Sequence, residues 1–216
     1  NTNIKIINPR EFKIDSHKVI VLVTNRNSYS KLSSLITLAR RRSKKGSYQI
    51  KWSDLKFNND DLLIIWLPCG DFKKDQLIIS QLHDWFERRL WIGFHNLLNG
   101  TETSHLSYLQ KLSLLWKVNV VACGDVHMHK KDRQPLQDVL TAIKQKCSIM
   151  ELGKSRYPNS ERYLRKIEYL KNIYPEELMR ETINISNLCN FSLNELRYEY
   201  PIDCLLYTSP SPRDAA

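Results

Sequence analysis

The chain has 216 residues, 42% of them hydrophobic and 26% charged, the make-up of a soluble globular protein of one domain or one domain and part of another. It is long enough to bury a core, and no apolar run approaches the roughly 20 residues that a bilayer-crossing helix requires, so no membrane partner is expected. The formal net charge of +10 suits a polyanionic partner and a merely solvated basic surface equally well, because no arginine-glycine or aromatic-interleaved RNA motif accompanies it.

The five cysteines (Cys69, Cys123, Cys147, Cys189 and Cys204) are odd in number and widely spaced, with no Cys-x-x-Cys pair. That argues against a disulfide framework or a zinc ribbon and fits a reducing cytoplasm, the thiols packing as small hydrophobes. The chain opens without a secretory pattern and without methionine, so Asn1 reads as an internal starting point and the whole as a fragment.

Residues 4–8 and 18–24 read as strands from their β-branched content. Over residues 29–42, Leu32, Leu35, Ile36 and Ala39 recur at helical spacing, and Arg40, Arg41, Arg42, Lys44, Lys45 and Gly46 suit the end of that helix. A buried strand follows at 62–67, then a helix at 75–88 carrying Ile78, Leu82 and Trp85. Next come a strand at 90–95, a helix at 104–117 and a strand at 118–126. Residues 134–146 form a helix with Pro135 at its first position and Leu136, Val139, Leu140 and Ile143 on one face. Strands separated by helices predict a largely parallel sheet or barrel.

After a turn-rich stretch at 154–160 the pattern changes to two helices, 161–174 and 175–189, with Pro175, Glu176 and Glu177 suiting the start of the second. A boundary near Gly153 is therefore expected. Residues 205–216, with two Ser-Pro steps and no periodicity, read as a non-native tail resembling translated sequencing adaptor.

The segment 118–129, VNVVACGDVHMH, carries the chemistry. Were the extended conformation to persist to Met128, Asp125, His127 and His129 would project from one side of a strand end, since residues two apart share a face. One carboxylate and two imidazoles suit zinc, manganese or iron, and strand ends are where α/β folds place ligands. His129 reads equally as a ligand or as a partner orienting one. Turn and strand-end hydrogen bonding is the plainer alternative for Asp125 and His127. His17, His83 and His105 read as surface residues without a companion, and the five tryptophans as core.

Residues 120–142, VVACGDVHMHKKDRQPLQDVLTA, resemble the end of the polymerase-and-histidinol-phosphatase domain at the N-terminus of bacterial replicative polymerases, and are most similar to error-prone polymerases of the DNA polymerase III alpha-subunit class. Residues 28–48 (SYSKLSSLITLARRRSKKGSY) and 160–201, ending in LRYEYP, resemble the same family in the same order. The resemblance implies a partial distorted (β/α) barrel over residues 1–153, with metals at the carboxyl ends of its strands, and a helical connector toward the polymerase core over 154–204.

It implies metal-ligand roles for Asp125 and His127, for Glu11 in REFKI and for His95 in WIGFH, holding zinc or manganese. Pro9 stands where the family has a glycine two residues before that glutamate. The family's paired histidines, and the palm aspartates that hold magnesium for nucleotidyl transfer, have no counterpart in these residues. The implied function is that of part of a DNA-directed DNA polymerase of replication and damage-tolerant synthesis. It would be cytoplasmic, with DNA and other replication or mutagenesis subunits as partners. The alternative is a stand-alone metal-dependent phosphoesterase or 3′–5′ exonuclease of the histidinol-phosphatase type.

Overall fold

The computed structural model describes residue 7 and residues 9–57 and 61–196. Strands β1 (Pro9–Ile14), β2 (His17–Val23), β3 (Leu62–Leu67), β4 (Leu90–His95) and β5 (Val120–Cys123) form one sheet in sequence order. β1 and β2 make an antiparallel hairpin, β2 lies antiparallel to β3, and β3, β4 and β5 run parallel. The parallel pairs are joined by helix α3 (Phe72–Phe86) and helix α4 (Glu102–Trp116). The expected partial barrel is an open mixed sheet among the described residues. Among the described residues two parallel crossovers are present, β3 to β4 and β4 to β5, and the antiparallel hairpin occupies the side where a further parallel strand would extend the curve.

β3 and β4 fall where their apolar runs predict. LLIIWL is buried along its whole length because both faces of the sheet are covered. Helix α1 (Arg26–Arg41) joins α3 and α4 on one face, where Leu35, Ile79, Leu82, Leu109 and Leu112 meet Val21, Ile64 and Ile92 without exposure. Each aliphatic side chain so buried stabilises the fold by about 1.5–3 kcal/mol relative to exposure. Helix α7 (Glu176–Leu188) covers the other face, setting Ile185 against Leu22, Ile65 and Val121. Trp91 Nε1 donates to Glu181 Oε2 at 2.8 Å across that contact.

Several boundaries moved for local reasons. α1 begins at Arg26 because the Asn25 side chain accepts from Ser28 N while Ser28 Oγ accepts from Asn25 N, a reciprocal cap that fixes the start. α3 begins at Phe72 because Asp71 accepts from Lys73 N and Lys74 N. The strand expected at 4–8 lies outside the described residues except for Ile7, which is not in a strand, and the expected tail at 205–216 lies wholly outside them.

Three differences bear on the site. β5 stops at Cys123, and Asp125 takes a left-handed backbone with φ +44°, so the alternation that would align Asp125, His127 and His129 is broken there. Of residues 161–174 only helix α6 (Ile167–Ile173) is helical, and the stretch before it crosses the sheet end as a strap. Helix α5 (Gln134–Gln145), following a short helix α2 (Trp52–Phe57) earlier in the chain, forms where expected but with its apolar face outward. Trp66 and Trp91 are core as predicted, whereas His17, read as a surface residue, is 3% exposed. The four described cysteines are free thiols.

Candidate functional site

Sheet topology brings chemistry-bearing residues to one edge. β1 ends, and β2 begins, where the parallel strands terminate, since Lys13 pairs with Lys18 and Lys18 with Leu67. His95 at the end of β4 lies beside Cys123 at the end of β5. A cleft of about 400 Å³ opens there, lined by Lys13, Lys18, Cys69, His95, His105, Asp125 and Arg162. Its floor exists because Gly93 has no side chain. A Cβ at that position would lie 2.5 Å from Leu67 Cδ2 and 3.2 Å from Cys123 Sγ.

The strap closes one wall. His127 N and Met128 N donate to Arg162 O at 2.8 and 3.0 Å, and Leu164 N donates to Met128 O at 2.9 Å. Asn159 Nδ2 donates to Leu97 O at 2.7 Å, and Arg165 to Asn96 O and Glu161 O. Glu161, 6% exposed, also accepts from Lys131 Nζ at 2.7 Å. Tyr174 ties the start of α7 to the strand ends, donating to Cys123 O at 2.6 Å and accepting from Asn96 N at 2.9 Å.

These bonds deliver Arg162 to Asp125. Arg162 Nε donates to Asp125 Oδ2 at 2.7 Å, and His127 Nε2 lies 3.2 Å from Oδ1. Tyr157 stacks beneath, with the guanidinium carbon 4.2 Å from its ring centroid and the His127 ring 5.2 Å away. Burial on its own would raise the Asp125 pKa, but the Arg162 hydrogen bond, His95, and the charges of Arg162 and Lys18 outweigh it and hold the carboxyl below its ordinary value. Burial, with Lys18 and Arg162 adding to it against the pull of Asp125, takes His95 down to about 4, so its imidazole is neutral at pH 7. Burial likewise pushes the Cys123 thiol up to about 12, which keeps it protonated and unreactive.

Of the five candidate ligands, His95 and Asp125 line the cleft and His127 touches Asp125. Glu11 sits within β1, opposite Ile20, and its carboxylate lies 3.0 Å from Lys18 Nζ. His129 is exposed just beyond the Met128 bridge to Tyr163. A neutral imidazole beside a carboxylate is a sound start for a zinc or manganese site. The arrangement as it stands does not fit a divalent ion. Both Asp125 oxygens are engaged, and Lys13, Lys18 and Arg162 already bring three cations to the cleft.

The chain matches no family model. It is 42% identical over 201 residues to the error-prone DNA polymerase of Methylococcus capsulatus, 40% over 200 to that of Saccharophagus degradans and 39% over 203 to that of Dechloromonas aromatica. Those alignments take in 92%, 92% and 91% of the chain. This chain is a relative of the error-prone DNA polymerases. It spans 19% of the length of each of the three, so the likeness is to one segment of them.

Pattern alone missed further residues of this end of the sheet. Arg162 stands 37 positions from the carboxylate it pairs with, in a stretch that reads as helical, so no local signal marks it. A second cluster, His17, Cys69 and Asp75, brings three donor atoms within 4.8 Å of one another under β2 and β3. Asp75 accepts there from His17 Nε2 at 2.9 Å, Cys69 N at 3.0 Å, Gly70 N at 2.9 Å and Tyr108 Oη at 2.5 Å. Four donors fill the acceptor capacity of the Asp75 carboxylate, which makes the cluster a hydrogen-bonded knot and leaves that carboxylate no lone pair for a metal. Its signal was available. Asp75 sits on the apolar stripe of α3 with Ile78, Ile79 and Leu82, and His17 keeps the inward register of Val19 and Val21.

Proposed function

We propose that this chain is part of an error-prone DNA-directed DNA polymerase, contributing the polymerase-and-histidinol-phosphatase region (1–153) and the connector toward the polymerase core (154–204). Similarity to such polymerases along 92% of the chain carries the reading. The parent enzyme performs nucleotidyl transfer on DNA, with magnesium held by aspartates outside these residues, in damage-tolerant replication in the cytoplasm and with other replication subunits. No helix among the described residues is long and apolar enough to cross a membrane.

Within that enzyme the cleft stands where the family keeps its metal cluster, whose expected zinc or manganese ligands in this chain are Asp125, His127, Glu11, His95 and His129, although the arrangement described above does not hold an ion. Its role here is structural, because the Arg162 guanidinium neutralises Asp125 in place of an ion. The other reading, a hydrolytic phosphoesterase or 3′–5′ exonuclease, is favoured by one observation, the neutral imidazole of His95 lining the cleft with Asp125. Metal content of the intact polymerase by mass spectrometry, with a nuclease assay in manganese, separates the two. The structural role gives substoichiometric metal and no hydrolysis. Robust manganese-dependent hydrolysis, abolished by changing Asp125 and His127 together, establishes the other.

A further inference from the structure

Helix α5 is built inside out. Leu136, Val139, Leu140 and Ile143, one continuous stripe by their spacing, are 52%, 37%, 53% and 67% exposed. The buried side of the same helix carries Asp138 at 3% exposure, paired to Arg156 Nε at 2.8 Å. Gln134 Nε2 donates to Tyr157 O and Ala142 is buried one turn beyond Asp138, so this side of the helix packs mainly against the short 3-10 segment Ile149–Ser155 and the residues that follow it. A free helix gains by turning such a stripe inward. Here the Asp138–Arg156 pair fixes the opposite orientation, which is the arrangement of a surface awaiting a partner.

We propose that the α5 stripe is a seam against which another part of the same polypeptide docks, presenting an apolar ridge flanked by carboxylates. The inference rests on the polymerase reading, under which about four-fifths of the relatives' length lies outside the matched segment and supplies the occupant. Charge selects the occupant's chemistry. Along residues 130–146 the exposed charges are Lys130, Lys131, Arg133, Lys144 and Lys146 against one acid, Asp132, since Asp138 is buried. Two copies of this face would set like charges together, whereas a carboxylate-flanked ridge neutralises them.

The test is Leu140→Cys in the intact polymerase, with maleimide labelling of the introduced thiol read by peptide mass spectrometry in native buffer and in urea. A docked seam labels at least tenfold more slowly native than unfolded, at a rate independent of protein concentration. Amide exchange in α5 of the unsubstituted enzyme is slowed in parallel, which covers any failure of the variant to fold. Equal native and unfolded rates overturn the proposal, and protection that deepens with protein concentration overturns it in favour of a second copy. Primer extension on the same sample keeps the two readings apart. An active polymerase with a freely labelled thiol sinks the seam alone, while a protected thiol without extension by any preparation sinks the polymerase reading alone.

Discussion

The two carboxylates at this end of the sheet, Asp75 and Asp125, are held in opposite ways. Asp75 is wholly buried and accepts from a buried imidazole, a partly buried phenol and two backbone N–H groups of the loop that follows β3. Asp125 faces a cleft and is held by one guanidinium carried on a strap and one imidazole that is 38% exposed. A carboxylate bound by fixed dipoles in the interior cannot exchange partners without unfolding. One bound by a charged side chain at a cleft wall can exchange its partner while the fold persists. The two sites look alike as lists of donors, and only their partners separate scaffold from candidate chemistry.

The largest effect that tests this contrast is the loss of the Asp75 knot. Asp75→Ala leaves buried His17 without its partner, together with Tyr108 and the N–H groups of Cys69 and Gly70, and is expected to cost about 3–5 kcal/mol in urea unfolding. Asp125→Ala exposes its partners to the cleft and to water, with an expected cost of about 1.5 kcal/mol. Equal losses at the two positions would erase the distinction.

Acid sharpens it next. The folded-state pKa of His95, about 4, lies below the ordinary 6.5. Between those values the unfolded chain takes up a proton that the folded chain refuses. Stability is therefore full above pH 6.5 and falls as pH drops towards 4, by roughly 3 kcal/mol. Asp125, whose pKa is lowered, adds its own loss only in more acidic solution, below the ordinary carboxylate range. Urea midpoints of the wild type and His95→Leu, compared at pH 7 and 4.5, isolate the first effect. A pH slope unchanged by the substitution would mean that His95 is not the buried neutral base.

Gly93 tests the floor of the cleft. A Cβ there comes to 2.5 Å of Leu67 Cδ2 and 3.0 Å of Ile65 Cγ2, both in a strand buried on its two faces. Gly93→Ala is expected to cost about 1–3 kcal/mol through overpacking, measured by thermal unfolding. A neutral result would show that the Leu67 side chain swings away freely and that the floor is soft.

The same contrast explains what pattern reading reached. β3 and β4 were legible to the residue because a strand buried on both faces is an uninterrupted apolar run, and α7 because Pro175 marks its start. The nearness of Asp125 and His127 was legible because both follow such a run, whereas His95 was reached only through the family resemblance. Arg162 was not, since an ion pair between distant residues depends on where the strap crosses, and nothing in RYLRKI fixes that locally. The stripe of α5 was visible in the spacing of Leu136, Val139, Leu140 and Ile143, but periodicity names a face without naming the side on which its partner lies.

The smallest expected effect bears on whether Arg162 fills the place of an ion. Arg162→Met keeps the length and the apolar contact with Tyr157 while removing the charge that engages Asp125 Oδ2. Stability should fall by about 1 kcal/mol, because the pair is only partly buried and the strap keeps its backbone bonds to residues 127 and 128. The Asp125 carboxylate then has an open oxygen beside the neutral His95 and near His127. Manganese binding, followed by titration calorimetry near pH 7, should tighten roughly tenfold, or about 1.4 kcal/mol. Both numbers follow from one act, the exchange of a guanidinium for a divalent ion at a single carboxylate. A variant that loses the stability but gains no affinity for manganese would show that Arg162 serves only to hold the strap, and that the surrounding donors do not form an ion site even when their carboxylate is free.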